Sequence, residues 1–405
     1  MNDYVPGTVH VCEPRPHAGR RAALACMVTL AVALGVGRFA FTPLLPLMLH
    51  GGALDLRHGG WLASLNYAGY FVGAISCAAL RMAPAKIVRA GLVATVLLTL
   101  AMGFTQQFWI WAAVRFVAGA VSAWTFVFAS QWGLRRLAQL GANEWAGVIY
   151  TGPGIGIIAT GLFVSAAGGL GARAGWIGFG LISALFAALV WSVFGDDMRA
   201  LAPRSATRAA ASVAHAQRAD AFWLVLLYGV PGFGYIITAT FLPVIARHAL
   251  PGSAWPDLFW PMFGAALIAG ALLAARLPLH WDNRLMLALA YVLQAVGIAL
   301  GIIWPNAAGF SFGSVLIGLP FTAITLFAMR EARLLRGERA AALMGYATAA
   351  YGVGQIAGPL VAAPLTASTG SFSPSLWLAA GALVAGAIGL VWRARHTREV
   401  ARRLR

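Results

Sequence analysis

Two arginines, Arg38 and Arg115, stand in stretches otherwise free of charge, 22–49 and 90–134. A guanidinium stays charged at any physiological pH and offers five donors in a planar fork, so it suits a carboxylate or phosphate held by two hydrogen bonds. Within a bilayer such a charge costs at least about 2.5–3.5 kcal/mol, and it persists mainly where it meets a wet cavity or a partner. Both arginines are therefore candidates for binding an anionic group. The structural alternative is that each donates to backbone carbonyls or ties helices together. Polar groups in the other apolar stretches, namely Asn66, Tyr67, Tyr70, Gln131, Tyr150, Tyr228, Tyr235, Gln294, Tyr346, Tyr351 and Gln355, could orient a ligand on an apolar wall or join helices to one another.

The acids and histidines carry the complementary message. All 12 carboxylates and all 8 histidines fall in tails, loops or the ends of apolar runs, so a buried proton relay of the usual Asp, Glu or His type is not expected. Glu144, at the start of one run, is the nearest candidate for proton coupling. A membrane-embedded enzyme would need clustered carboxylates, histidines or a nucleophile beside its base, and no such constellation is present, so no enzymatic activity is expected. Cys12, Cys26 and Cys77 show no CxxC or Cys/His spacing, and neither a metal nor a cofactor is expected.

The elements that must position these residues follow from composition. The chain has 405 residues, 60% of them hydrophobic and only 10% charged, with a mean hydropathy of +0.78, whereas soluble domains are about one quarter charged. A span of hydrocarbon needs about 20 apolar residues. Apolar runs predict twelve helices, at about 22–49, 59–80, 87–105, 108–133, 145–168, 174–194, 221–246, 259–275, 285–304, 307–329, 340–366 and 375–392. This divides the chain into an N-terminal tail (1–21), a six-helix bundle (22–194), a polar linker (195–220), a second bundle (221–392) and a basic tail (393–405). The first run is too long for a signal-peptide core and is expected to remain as a helix. With both termini in the cytoplasm, all but five of the 29 basic residues fall on the inner side; three lie outside, and Arg38 and Arg115 within. That asymmetry accounts for the +17 charge without nucleic acid, and some basic residues of the C-terminal tail could touch anionic lipid.

The halves repeat. Gly35-Val36-Gly37-Arg38 is followed by Leu45-Pro46, with Pro43 between, and Gly232-Phe233-Gly234-Tyr235 is followed at the same spacing by Leu242-Pro243. Gly152-Pro153 and Gly358-Pro359 form a second pair. Parallel repeats of this kind accompany two bundles facing each other across a midplane cavity, although Gly and Pro are also common in membrane helices.

These residues resemble the major facilitator superfamily over nearly the whole chain. They are more narrowly similar to its YbfB/YjiJ group, through Gly37-Arg-Phe-Ala-Phe-Thr-Pro-Leu-Leu-Pro46, Asn66-Tyr-Ala-Gly-Tyr70 and Gly232-Phe-Gly-Tyr-Ile-Ile-Thr-Ala-Thr-Phe-Leu-Pro243. The resemblance implies an all-α integral membrane fold of two pseudo-symmetric six-helix bundles that rock about a central site, without covalent chemistry. Arg115 and Gly119 match the superfamily's Arg-x-x-x-Gly pattern, whose arginine is linked with proton or substrate coupling. Gly345, Gly354, Gly358 and Pro359 reproduce the antiporter spacing, but in the eleventh helix, while the fifth keeps only Gly152-Pro153-x-x-Gly156. The loop after the second helix lacks the superfamily's usual Asp.

The expectation is a secondary transporter of the bacterial-type inner membrane, monomeric, embedded in the lipid bilayer, moving a small organic anion or amphipathic solute with the proton as candidate coupling ion. Arg38, Arg115, Asn66, Tyr70, Tyr235 and Gln355 are its expected binding or coupling residues. The glycines and prolines named above are expected in packing or gating. Efflux of cationic or neutral amphipathic compounds is the alternative; a non-transporting sensor or a lipid-flipping protein is the alternative of a different class.

Overall fold

The structure, a computed structural model, describes residues 16–52, 54–195, 214–274, 276–278, 280–337 and 340–403. Among these the chain is all helical and forms twelve rods: α1 (His17–His50), α2 (Leu56–Ser76), α3 (Pro84–Phe104), α4 (Phe108–Gln139), α5 (Asn143–Ala167), α6 (Gly171–Trp191), α7 (Ala214–Ala249), α8 (Pro256–Ala274), α9 (Asn283–Ile303), α10 (Ala307–Arg336), α11 (Ala340–Thr369) and α12 (Ser373–Arg403). An even number of passes returns both termini to one end of the bundle, called here the terminal end. Several helices outrun the apolar stretches: α4 continues to Gln139, α7 begins at Ala214 rather than 221, and α12 reaches Arg403 rather than 392. An apolar count stops at the first charge, whereas backbone hydrogen bonding continues past the level of the hydrocarbon. Most of the expected linker falls outside the described residues, as do Asp3, Cys12, Glu13, Asp196, Asp197 and Glu338.

Ten of the rods are long and apolar enough to cross a membrane. The remaining two, α2 and α11, pack against each other across the boundary between the halves. The polar side chains of α2 are met by protein: Ser64 donates to the Ile356 carbonyl at 2.8 Å, Asn66 to the Arg115 carbonyl at 2.8 Å, and the Tyr67 hydroxyl lies 2.9 Å from Thr240 Oγ1. These donors find their acceptors inside the bundle rather than in lipid.

Small residues set the helix spacing, and they do so symmetrically. Gly35 of α1 meets the backbone of Gly156 on α5 so closely that neither has room for a Cβ, and its repeat equivalent, Gly232 of α7, meets the Tyr351 carbonyl of α11 in the same way. Gly119 of α4 approaches the Asn66 carbonyl. Interfaces between membrane helices favour such residues because they are held by close packing rather than by a hydrophobic difference from lipid.

The repeat breaks at one point. α7 is continuous through Pro231 and Pro243, but α1 widens into a π-helical segment, Ala31–Val36, passes through a turn at 37–40 and resumes at Phe41–His50. Pro43 has no N–H for the Phe39 carbonyl, which accepts instead from Thr42 at 3.2 Å.

Candidate functional site

The break in α1 leaves the Gly37 and Arg38 carbonyls without a main-chain donor, and Arg115 supplies one to each. From α4 its Nη1 donates to Gly37 O at 3.4 Å and its Nη2 to Arg38 O at 3.2 Å, while Phe41 lies under the guanidinium at 4.8 Å. Arg115 is 2% exposed. Donation to backbone carbonyls is the contact that the structural alternative expects of Arg115.

Arg38 projects from that break toward the opposite half. Its Nη2 donates to Gln355 Oε1 of α11 at 2.8 Å, and the Gln355 amide donates in turn to the Tyr235 hydroxyl of α7. The guanidinium lies 4.1 Å from the Tyr70 ring centre, 5.2 Å from Tyr67 and 5.3 Å from Phe39, a cation–π enclosure on three sides. It is 6% exposed, its Nε has no partner, and among the described residues no carboxylate pairs with it or with Arg115.

Arg38 and Tyr235 occupy the same place in the repeat, and Gln355 bridges them. Thr42 Oγ1 likewise donates at 3.1 Å to the carbonyl of its own repeat counterpart, Ala239. The pseudo-twofold relation between the halves therefore passes between α1 and α7 beside Arg38. Beyond Tyr235 the aromatic surface continues: Tyr351 stacks 6.0 Å from Tyr235 and 5.1 Å from Tyr228, and Phe321 meets Tyr235 edge-on at 5.0 Å. Phe39 meets Trp260 of α8 edge-on at 6.0 Å, and Trp260, itself stacked on Phe263, keeps a buried Nε1 with no partner.

Of the expected binding residues, Arg38, Tyr70, Tyr235 and Gln355 come together. Asn66 sits against Arg115 through its carbonyl, with its own Oδ1 unpartnered. Glu144 is not part of this group; it is exposed on a short turn, Asn143–Trp145, at the terminal end of α5. Among the expected packing residues, Gly37, Gly119, Gly152, Gly234, Gly354 and Gly358 each face another helix or an adjoining turn too closely for a Cβ, whereas Gly345 opens onto empty space. Pro46, Pro243 and Pro359 lie inside helices, and Pro153 sits in the first turn of the segment Gly152–Ala167.

Two features escape a reading of spacing. The aromatic wall of Trp260, Phe263 and Phe321 belongs to helices whose mutual rotation only the fold reveals. The other is an ion network at the terminal end of the second half: Asp220 of α7 pairs with Arg393 of α12 and, at 3.1 Å, with Arg284 of α9, which also donates to Glu331 of α10 at 2.7 Å and to Thr397 at 2.6 Å. Its one sequence signal is that opposite charges fall just outside the ends of four apolar runs, 221–246, 285–304, 307–329 and 375–392.

Among the described residues, the four side-chain hydrogen bonds between the halves, Arg38 to Gln355, Thr42 to Ala239, Ser64 to Ile356 and Tyr67 to Thr240, lie at the break or beyond it, away from the terminal end. On the terminal side no hydrogen bond or ion pair joins the halves among the described residues. Two bundles related by a parallel repeat, meeting at a polar break in one helix, define a transporter of the major facilitator type.

Comparison with known proteins agrees. Residues 30–391 match the family described as "Uncharacterised MFS-type transporter YbfB", and the chain belongs to that family. It is 37% identical over 164 residues to a chloramphenicol resistance protein of Streptomyces lividans, an alignment that takes in 37% of this chain and 38% of that protein. The fold is similar to crystal structures of the nucleoside transporter NupG. A mutant form gives a TM-score of 0.72 at 14% identity, covering 92% of this chain and 99% of that one; a second structure gives 0.66 at 15%, covering 93% and 98%.

Proposed function

We propose that this transporter moves a small organic anion, or an amphipathic compound bearing an anionic group, by alternating access between the two halves, with both termini cytoplasmic. The observation that carries the reading is Arg38: a buried guanidinium that meets no carboxylate among the described residues and reaches across to an amide oxygen of the opposite half. A solute carboxylate would offer a stronger, charge-assisted partner than that oxygen. In taking Gln355's place it would loosen one of the four bonds that close the halves at the end away from the termini, which couples binding to rearrangement. Tyr70, Tyr67 and Phe39 would hold the apolar body of the solute. With no carboxylate beside Arg38 among the described residues, a coupling proton would travel on the solute itself.

A second reading, efflux of cationic or neutral amphipathic compounds, draws on the aromatic wall and on the partial similarity to a chloramphenicol resistance protein. Thermal stabilisation of detergent-purified protein by a panel of organic anions, cations and neutral compounds separates the two, because a ligand selective for the folded state raises apparent stability. The anion reading expects anion-selective shifts that Arg38→Ala weakens by about 10-fold or more in affinity, the factor that loss of a hydrogen bond to a charged group represents. Shifts from cations or neutral compounds that survive Arg38→Ala would replace it with efflux. Flux of the stabilising compound into proteoliposomes then tests transport directly, and labelled-lipid movement without solute would instead indicate lipid flipping.

A further inference from the structure

The outward surface of the first half carries two troughs that the central site does not use, one on each side of the last turns of α6. The trough between α1 and α6 has a volume of about 420 Å³. Leu24, Val28 and Leu189 line it, and His17, Arg20 and Arg21 stand at its mouth on the terminal end. Arg20 and Arg21 are exposed, and neither pairs with a carboxylate among the described residues. Arg21's one side-chain hydrogen bond is a long one, 3.4 Å, to the Ser192 hydroxyl. The trough between α3 and α6, about 470 Å³, is lined by apolar side chains that include Val93, Leu97 and Trp191. Arg89 lies over the Trp191 ring at 5.3 Å and donates to its carbonyl at 3.3 Å, leaving its own buried Nε without a partner.

Each trough thus orders its chemistry along the helix axis in the same sense: cations at the terminal end, apolar walls toward the bilayer centre. A soluble anion would use only the mouth. An amphiphile with an anionic head and an acyl chain would use the whole length, and basic pockets between membrane helices are suited to anionic lipid headgroups. Trp191, at the last turn of α6, sits where an indole ring would mark the interface between hydrocarbon and headgroups.

We propose that the α1–α6 trough is a binding site for an anionic phospholipid, its phosphodiester on Arg20 and Arg21 with His17 beside them, and one acyl chain against Leu24, Val28 and Leu189. The bound lipid braces α1, the helix that carries Arg38, against α6.

Native mass spectrometry of the full-length protein in neutral detergent tests the site, with phosphatidylglycerol, phosphatidylcholine and soluble glycerol phosphate as probes. Phosphatidylglycerol is expected to be retained over phosphatidylcholine. The double variant Arg20→Gln, Arg21→Gln is expected to weaken that retention by about five-fold per arginine. Removing two arginines from α10 at the same end, Arg333→Gln with Arg336→Gln, leaves it unchanged. Leu189→Trp, which fills the trough while keeping every charge, weakens retention as well, and it carries the test if the arginine variant folds poorly. Equal losses in the α10 variant would reduce the effect to diffuse surface charge and overturn the site. Glycerol phosphate bound as well as the lipid would overturn the acyl trough and leave a free-phosphate site.

Discussion

At the residue scale, Arg38 and Gln355 meet as cation and neutral amide, a hydrogen bond of the charged class worth about 1.5–3 kcal/mol. Gln355→Glu would supply the carboxylate that Arg38 lacks, with the Tyr235 hydroxyl able to donate to it. The expected outcome is a higher melting midpoint in detergent together with loss of anion-induced stabilisation and of flux, because an internal anion then occupies the guanidinium. Anion binding unchanged in this variant would remove Arg38 from the site. Arg115 calls for a different result. Its loss strands the Gly37 and Arg38 carbonyls in the interior, at about 1–3 kcal/mol for each unsatisfied group. Arg115→Gln should therefore lower the melting midpoint of the ligand-free protein, while the remaining folded protein still prefers anions. A variant that keeps its stability but loses anion preference would return Arg115 to the binding site.

At the element scale, the irregular α1 does what a regular helix could not. A widened turn and a missing N–H at Pro43 free two carbonyls at the depth where Arg38 leaves the helix, so one interruption both anchors α4 through Arg115 and aims Arg38 across the boundary. Broken helices at membrane depth are tolerated where protein groups re-satisfy the backbone. The second half is stiffened differently, by the ion network of Asp220, Arg284, Glu331 and Arg393. Removing one partner of a buried pair leaves the others uncompensated, at a cost of about 3–5 kcal/mol. Asp220→Asn should lower thermal stability by that order in a melting experiment. The Arg38-dependent preference for anions, which belongs to the other half, should remain. Loss of both would mean that the network also sets the central site.

For the whole molecule, the side-chain bonds between halves are confined, among the described residues, to the break and to the end away from the termini, so the two ends are not equivalent. Gly60 of α2 lies against Ala363 and the Pro359 carbonyl of α11 at that sealed end. Gly60→Trp should wedge it apart, abolish flux and leave the protein with its other end closed. The check is labelling of Ser64→Cys by a membrane-impermeant thiol reagent in sealed cells. Reactivity should be low in the parent and high when Gly60→Trp is added; equal reactivity would show that closure does not run through α2 and α11.

The sequence by itself determined the solvent, the number of passes, the repeat and the two unusual charges. Each of these is a local property: an apolar run long enough to span hydrocarbon, a basic residue on one side of it, a glycine eight residues before a repeated Leu-Pro. It also placed Arg38, Tyr70, Tyr235 and Gln355 among the groups worth attention. It could not show that Arg115 lies on the Gly37 and Arg38 carbonyls, because that depends on where a break in α1 falls beside α4. Nor could it join Arg38 to Gln355, 317 positions away, or see that four charges at the ends of separate apolar runs form one network. Those pairings are fixed by helix rotation and by the twofold relation between the halves. Only close packing of small residues across helix interfaces sets both, and that is where tertiary structure decided.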